Sequence, residues 1–386
     1  MRIVFAVATA RFFLSHRLPL ALAAKNAGYD VHVATADCDG VDRIVAAGLQ
    51  WHRVRGGPLR QKPWSDLLTL IDLVRLYRRL RPAVVHHVTF KQILYGTIAA
   101  RLTRVPAVVN AMTGMGDTFA AHSVSDRLWT ALIVALFRVF VRHRRMRVIV
   151  QNPDDLALMR RLRLARENQL ALVRGSGVDP DHFAPLPPKT NDVPVIVLLG
   201  RVVYPKGIAE FAGASRFLRD AGVRARFVVA GELDRESGAA VPDQRFEEWQ
   251  REGAIEYIGF RDDPREVYAM ADIVCLPSYR EGLPKTLLEA ASCGLPIVTT
   301  DVPGCREAVA DGENGILVPA RSVEPLAAAL RKLIEDPELR RTMGERGRQR
   351  VIENYSLNAV ITATLSIYDE LSASAPAPAS TRAPDA

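Results

Sequence analysis

The sequence predicts an α/β protein made of two doubly wound domains facing a central cleft. Three observations carry that expectation. Val/Ile-rich runs of strand length alternate with helical patterns, and the alternation occurs twice along the chain. The runs are continuously apolar, as suits strands buried on both faces of a parallel sheet. A proline-rich stretch without periodicity, GVDPDHFAPLPPKTNDVP from Gly177 to Pro194, separates the two series. At 386 residues the chain is long for one core and ample for two.

Taken in order, RIVFAVA, YDVHVAT, PAVVHHV, PAVVNAM, RVIVQN and LALVRGSG mark strands of a first domain over residues 1–185. VPVIVLLG, VRARFVVAG, IEYIGF, DIVCLPS and LPIVTTD mark those of a second over residues 186–357. The amphipathic SHRLPLALAAKNAG is one of the intervening helices and closes on Gly28. A helix over residues 358–372 follows the last sheet elements and is expected to cross back onto the first domain. Residues 373–386, rich in Ala, Pro and Ser without apolar periodicity, read as a disordered tail.

Composition narrows the function classes. Cys38, Cys275, Cys293 and Cys305 form no C-x-x-C pair, so neither a zinc site nor a disulfide framework follows and a reducing compartment is expected. MRIVFAVATARFF has a signal-peptide look, yet its apolar run is short and a first buried strand explains it better. A cytoplasmic location follows. The formal charge of +8 is unevenly spread: the first 185 residues carry 27 Lys+Arg against 13 Asp+Glu, the remainder 24 against 30. A basic half of this kind points to an anionic partner: membrane, nucleic acid or phosphorylated ligand. Asp126 to Arg147, DRLWTALIVALFRVFVRHRRMR, leaves two readings open: a core helix leading into a solvated basic turn, or a helix leaning on an anionic membrane surface. Its apolar run is too short to span a bilayer.

The chemistry concentrates in PSYREGLPKTLLEAASCGLPIVTTDVPG, Pro277 to Gly304. Glu281 precedes a helix and Glu289 lies two turns inside it. The same spacing recurs at Glu248/Glu256 and Glu345/Glu353 without evident chemistry, so context decides. YREGLP follows a buried strand, at the edge where open α/β sheets bind ligands. Pro284 suits the first helical position, and the N–H groups and dipole of this helix start are ready for a phosphate. Glu289 lies about 7 Å into the helix, where a carboxylate suits paired vicinal hydroxyls such as those of a ribose. A second turn, VIVLLGRVVYPKGI, sets Arg201 and Lys206 after another buried strand, a forked donor and a point charge that together suit a diphosphate.

G-R-x4-K-G (Gly200 to Gly207), E-G-x-P-x4-E (Glu281 to Glu289) and ASCGLPIVTTDVPG together resemble the retaining nucleotide-sugar glycosyltransferases of family 4, which have the GT-B fold of two Rossmann-like domains. GSGVD…F (Gly175 to Phe183) and DGENGILVP extend the likeness over nearly the whole chain. FFLSHRLPLALAAKNAGYDVHVAT, VVHHVTFK and NAMTGMG are similar to the capsule and O-antigen branch, whose members add sugars to undecaprenyl-diphosphate-linked saccharides at the cytoplasmic membrane.

The resemblance implies a role for each matching position. Arg201 and Lys206 would hold the donor diphosphate and stabilise the leaving nucleotide; with Glu281, which would contact the donor sugar, they form the catalytic set. Glu289 would bind ribose hydroxyls, Gly282, Leu283, Pro284 and Lys285 would line the donor site with backbone N–H groups from all but the proline, and Gly259 and Phe260 would flank the base. Arg11, Phe12, Phe13 and His16 of the first turn, His86 and Lys91 of a neighbouring strand end, and Met112, Thr113 and Gly114 are the cleft and acceptor candidates. His86 and its neighbour His87 read equally as buried structural histidines. Many relatives carry a histidine where this chain has Met112, which obscures sugar selectivity. The implied partners are a nucleotide-sugar, UDP by the habit of the branch and an N-acetylhexosamine by extension, a lipid-linked saccharide, and the membrane surface through the basic domain. No metal and no cofactor are required, since the two cations and the helix dipole take that part; Asp37-Cys38-Asp39 resembles a metal-binding D-x-D in the wrong place.

Three rivals are weighed. A dinucleotide-dependent oxidoreductase needs G-x-G-x-x-G after a first strand, and VATARFFLSH has none. A nucleic-acid-binding protein would explain the basic half but not the two glutamates. A soluble-acceptor transferase or sugar-nucleotide epimerase of the same fold would need no membrane.

Overall fold

Apolar runs become the central strands. Val84–Val88, Ala107–Met112 and Ile297–Thr300 are buried at every position, because helices cover both faces of the sheet they occupy. The computed structural model describes residues 1–36, 40–55, 63–115, 124–185 and 192–373. Asp37 to Asp39, the middle of the proposed linker and the tail from residue 374 lie outside the described residues.

The first half runs β1 (Arg2–Ala6), α1 (Ala10–His16), α2 (Leu18–Asn26), β2 (Asp30–Thr35), α3 (Val41–Ala46), β3 (Gln50–Arg53), α4 (Pro63–Leu80), β4 (Val84–Val88), α5 (Phe90–Leu102), β5 (Ala107–Met112), α6 (Val124–Phe140), β6 (Met146–Val150), α7 (Pro153–Arg161) and β7 (Leu170–Leu172). Its sheet has the order β3-β2-β1-β4-β5-β6-β7, with every recorded pairing parallel; Val4, for instance, sits between His32 and Val85. One apolar cluster, under α4, α5 and α6, fills one face, and another, under α1 to α3, fills the opposite face.

The second half runs β8 (Val195–Leu199), α8 (Ile208–Asp220), β9 (Arg226–Ala230), α9 (Asp243–Arg251), β10 (Glu256–Tyr257), α10 (Pro264–Met270), β11 (Ile273–Leu276), α11 (Lys285–Ser292), β12 (Ile297–Thr300), α12 (Cys305–Ala308), β13 (Gly315–Val318), α13 (Val323–Glu335) and α14 (Pro337–Asn354). Its sheet order is β10-β9-β8-β11-β12-β13. Strand order therefore reverses beside β1 in one sheet and beside β8 in the other, and the loops at those switch points form the crevice where such sheets hold ligands.

Two passages join the halves, and they run together. Val178 N–H donates to the Tyr355 carbonyl at 3.0 Å, and Leu357 N–H to the Val178 carbonyl at 2.8 Å. The chain then re-enters the first half as α15 (Leu357–Ala373), which packs on α2 and β5. Its anchor is Tyr368, fully buried, whose hydroxyl lies 2.5 Å from His86 Nδ1. His86 also stacks on Phe5, with ring centroids 5.2 Å apart. His87, next in β4, faces the other way and meets the Tyr77 hydroxyl at 3.0 Å through Nε2 and Asn110 Oδ1 at 2.8 Å through Nδ1. Asn110 Oδ1 only accepts, so Nδ1 carries the proton and Nε2 accepts from Tyr77.

Two consequences are measurable. Tyr368→Phe leaves a buried ring nitrogen of His86 unpaired and should cost about 1–3 kcal/mol, read as a lower urea midpoint with an unchanged m value. Burial pushes His87 down to about 4, below its ordinary 6.5. The unfolded chain then binds protons that the folded one refuses, so stability should fall as pH drops from 6.5 toward 4. In His87→Gln the slope of unfolding free energy against pH over that window should shrink by about one proton; an unchanged slope would show that His87 does not contribute.

Candidate active site

The loop after β11 is built by three constraints. Ser278 is buried, and its hydroxyl donates to Glu281 Oε1 at 2.7 Å. The same oxygen takes Lys206 Nζ at 2.5 Å, from the loop after β8. The Gly282 carbonyl accepts from Asn152 Nδ2 of the first half at 2.5 Å. Helix α11 then starts at Lys285, one residue later than expected. Pro284 is its cap, with φ −69° and ψ 113°, so its backbone is still extended while its carbonyl already accepts from Leu287 N–H. The N–H groups of Gly282, Leu283 and Lys285 donate no hydrogen bond within the described residues. Three backbone donors and a helix dipole thus converge beside Lys206.

Glu289 lies deeper and is held from both sides. The Tyr268 hydroxyl donates to its Oε2 at 3.0 Å, and Lys285 Nζ pairs with its Oε1 at 2.9 Å. Burial and then the Glu289 charge hold the Tyr268 phenol well above its ordinary pKa, so it stays protonated and donating. Each carboxylate oxygen keeps a second lone pair for a ligand hydroxyl. Arg201, more exposed than Lys206, bonds Asp234 Oδ2 at 2.8 Å on the same side of the cleft. Gly259 turns with φ +78°, and Phe260 beyond it is half exposed.

The first half faces this site through α1 and the loop after β5. Thr9 caps α1 by accepting from Phe12 N–H. Arg11 then reaches across to pair with Glu232 and lies 5.3 Å over the Phe260 ring. Phe12 and His16 stack with centroids 4.2 Å apart. His16 is driven down to about 3, first by burial and then by Arg17, Lys285 and Lys206, so it stays neutral. Thr113 and Gly114 touch Gly282 backbone to backbone.

The structure therefore brings Arg11, Phe12, His16, Thr113 and Gly114 to the same cleft as Lys206, Glu281 and the start of α11. Four candidates require correction. Phe13 is fully buried and packs edge-on against Phe5. His86 is buried with its Nδ1 taken by Tyr368, Met112 belongs to the core under α4 to α6, and Lys91 is buried in the first turn of α5. His86 lies inside a buried strand, Met112 ends one, and Phe13 and Lys91 lie in helices that follow one, so packing decided each side chain's direction. Ser278, Tyr268 and Asn152 were missed. The N-P-D-D pattern marks Asn152 as a helix cap, yet nothing local tells that its amide also reaches Gly282. Among the described residues no three His, Cys, Asp or Glu side chains gather to hold a metal ion.

Comparisons with known proteins agree with this geometry. The family description "Glycosyl transferases group 1" matches residues 182–350, and "Glycosyl transferase 4-like" matches residues 2–149. The chain is 24% identical to the N,N'-diacetylbacillosaminyl-diphospho-undecaprenol alpha-1,3-N-acetylgalactosaminyltransferase of Campylobacter jejuni, over 93% of this chain and 98% of that protein. It is 25% identical to the UDP-Gal:alpha-D-GlcNAc-diphosphoundecaprenol alpha-1,3-galactosyltransferase of Escherichia coli, over 76% of each. Among solved structures, sucrose-phosphate synthase from Thermosynechococcus elongatus superposes with a TM-score of 0.79 at 20% identity, covering 97% of this chain and 100% of that one. With a matching family description in each half and two Rossmann-like sheets in the GT-B arrangement, the chain belongs to the group 1, family 4-like glycosyltransferases and is an enzyme of that class.

Proposed function

We propose that the protein moves a sugar, with retention at the anomeric carbon, from a UDP-sugar to a saccharide carried on undecaprenyl diphosphate, in capsule, O-antigen or exopolysaccharide assembly. The observation that carries this reading is the set of unpaired N–H groups at Gly282, Leu283 and Lys285, flanked by Lys206 and opposed by Thr113 and Gly114. Two relatives act on diphospho-undecaprenol saccharides, and the name of one includes UDP-galactose, which supports both substrates. An N-acetylhexosamine is the donor sugar of choice on the same grounds.

In this reading the diphosphate settles between the start of α11 and the cations Lys206 and Arg201. Those groups neutralise charge as the bond to the anomeric carbon loosens, an electrostatic role that needs no resident metal. Glu281 is steadied through Oε1 by Ser278 and Lys206, which leaves Oε2 for the donor sugar's hydroxyls. Glu289, oriented by Tyr268 and Lys285, takes the ribose hydroxyls, and Phe260 offers a face to the base. The acceptor hydroxyl attacks from the side the nucleotide leaves, and the departing phosphate takes its proton. None of the named side chains acts as a nucleophile.

The protein works at the inner face of the cytoplasmic membrane as a peripheral enzyme. Among the described residues no helix is long and apolar enough to cross a bilayer. Helix α6 buries Ile133, Val134 and Phe137 but exposes Leu132, Val139 and Phe140, with Leu102 of α5 beside them. Arg142, Arg144 and Arg145 follow directly, an arrangement that favours an anionic surface.

Two experiments test this. Calorimetry with UDP, GDP and ADP, without metal and with magnesium, should give a preference for UDP that does not depend on the metal. Binding of none of the three would remove the donor site. Glu289→Ala should weaken UDP at least about ten-fold, the worth of a hydrogen bond to a charged group, whereas Glu281→Ala should keep UDP affinity and lose turnover. Equal UDP affinity in the two variants would refute the ribose assignment.

A further inference from the structure

Away from the cleft, a groove of about 710 Å³ runs along the outer edge of the first sheet, lined by β3 and its continuation on one side and by α4 on the other. Arg53, Arg55, Arg75 and Arg79 contribute four guanidinium groups, with Trp51, His52 and Leu76 as floor and wall. All four arginines are exposed. Among the described residues Asp72 is the one carboxylate lining the groove, and it is consumed by Arg55, whose Nε and NH2 bond its two oxygens at 2.8 and 2.6 Å. Among the described residues no carboxylate lies within ion-pair distance of Arg75 or Arg79.

The groove is also pre-arranged. Arg79 NH2 donates to His52 Nδ1 at 3.1 Å, so that nitrogen carries no proton, and His52 Nε2–H donates to His32 Nδ1 at 2.8 Å. Arg79 is thus steered by a neutral ring that leaves its charge uncancelled. Arg75 and Arg79 stand one helical turn apart, about 6 Å along α4. Arg53 and Arg55 stand about 7 Å apart along the strand. Arg75 and Arg79, which meet no carboxylate among the described residues, stand across an open groove from Arg53 and the ion-paired Arg55, and guanidinium groups so gathered match an anion with several oxygens on two adjacent centres.

We propose that this groove binds a diphosphate group. The inference deepens the acceptor reading above and rests on it for the source of the anion: the diphosphate of the lipid-linked saccharide. Arg53 ends β3 and Arg55 follows it, at the carboxyl edge of the sheet where the cleft loops also lie.

The test uses full-length protein saturated with UDP, so that the donor site is filled, titrated with inorganic pyrophosphate at low ionic strength. A single binding event is expected, weakened at least ten-fold in Arg75→Ala/Arg79→Ala and partly restored in Arg75→Lys/Arg79→Lys. Circular dichroism checks that the variants fold. No binding, or equal affinity in the alanine variant, overturns the site. Flotation on vesicles separates the sources. Vesicles bearing a polyprenyl diphosphate should capture the protein better than phosphatidylglycerol vesicles of equal charge, and the alanine variant should lose only that excess. Pyrophosphate binding without the excess keeps the site and assigns it a soluble diphosphate. Equal loss on both vesicle types makes the groove a general headgroup surface and overturns the diphosphate assignment. UDP binding without pyrophosphate binding removes the groove alone; groove binding in a protein that transfers nothing to lipid diphosphates removes the acceptor reading alone.

Discussion

The cleft depends on one close approach. At Gly282 a side chain would bring Cβ within 2.2 Å of the Thr113 carbonyl oxygen and 3.0 Å of Gly114 Cα, so the two halves meet there backbone to backbone. Gly114 sits at φ +124°, a conformation that L side chains rarely adopt. This contact brings the start of α11 against the loop after β5, and Asn152 fastens it through the Gly282 carbonyl. Without it the helix N-terminus, Lys206 and Glu281 would face solvent, where backbone donors and ion pairs are worth far less.

Other links across the cleft are weaker in kind. Arg11 with Glu232 and Arg306 with Asp154 are ion pairs with substantial solvent exposure, and in Arg174 with Glu307 the cation is exposed. Pairs of that sort contribute little each and are screened by salt. Two of the three place the cation on the first half, as the uneven charge of the chain requires. The lasting connection is elsewhere, in the paired passages at Val178 and Tyr355–Leu357 and in the docking of α15 through Tyr368. A firm double crossing with labile pairs over the cleft suits halves that adjust about a hinge while the donor loop keeps its shape.

The second-half site was far more legible than the first. Arg201, Lys206, Glu281 and Glu289 all sit where a buried strand gives way to a turn or helix, and chain punctuation by Gly and Pro marks those points. Their partners were not legible. Ser278 is a small polar residue in a loop, Tyr268 reads as a core aromatic, and Asn152 is 130 positions from the carbonyl it serves. In the first half the candidates after α1 separated by helical period: Arg11, Phe12 and His16 reach the cleft side while Phe13 turns into the core. His86 and His87 show the same for a strand, where consecutive side chains go to opposite faces. His86 meets α15 through Nδ1 and shares a small cavity with His16, whereas His87 meets α4.

The sequence by itself determined the two-sheet α/β class, the alternation of strand and helix, and the turns that carry donor chemistry, because hydrophobic period and Gly/Pro punctuation act locally. Tertiary structure decided which polar side chains face ligand and which are spent on the protein. It set Lys206 against Glu281, Tyr268 against Glu289 and Tyr368 against His86, pairs separated by 75, 21 and 282 positions. It also gathered four arginines from a strand end and a helix into one groove at the sheet edge. Such pairings depend on which strands become neighbours and how two domains meet, and no local pattern in the chain encodes the distance between residues so far apart.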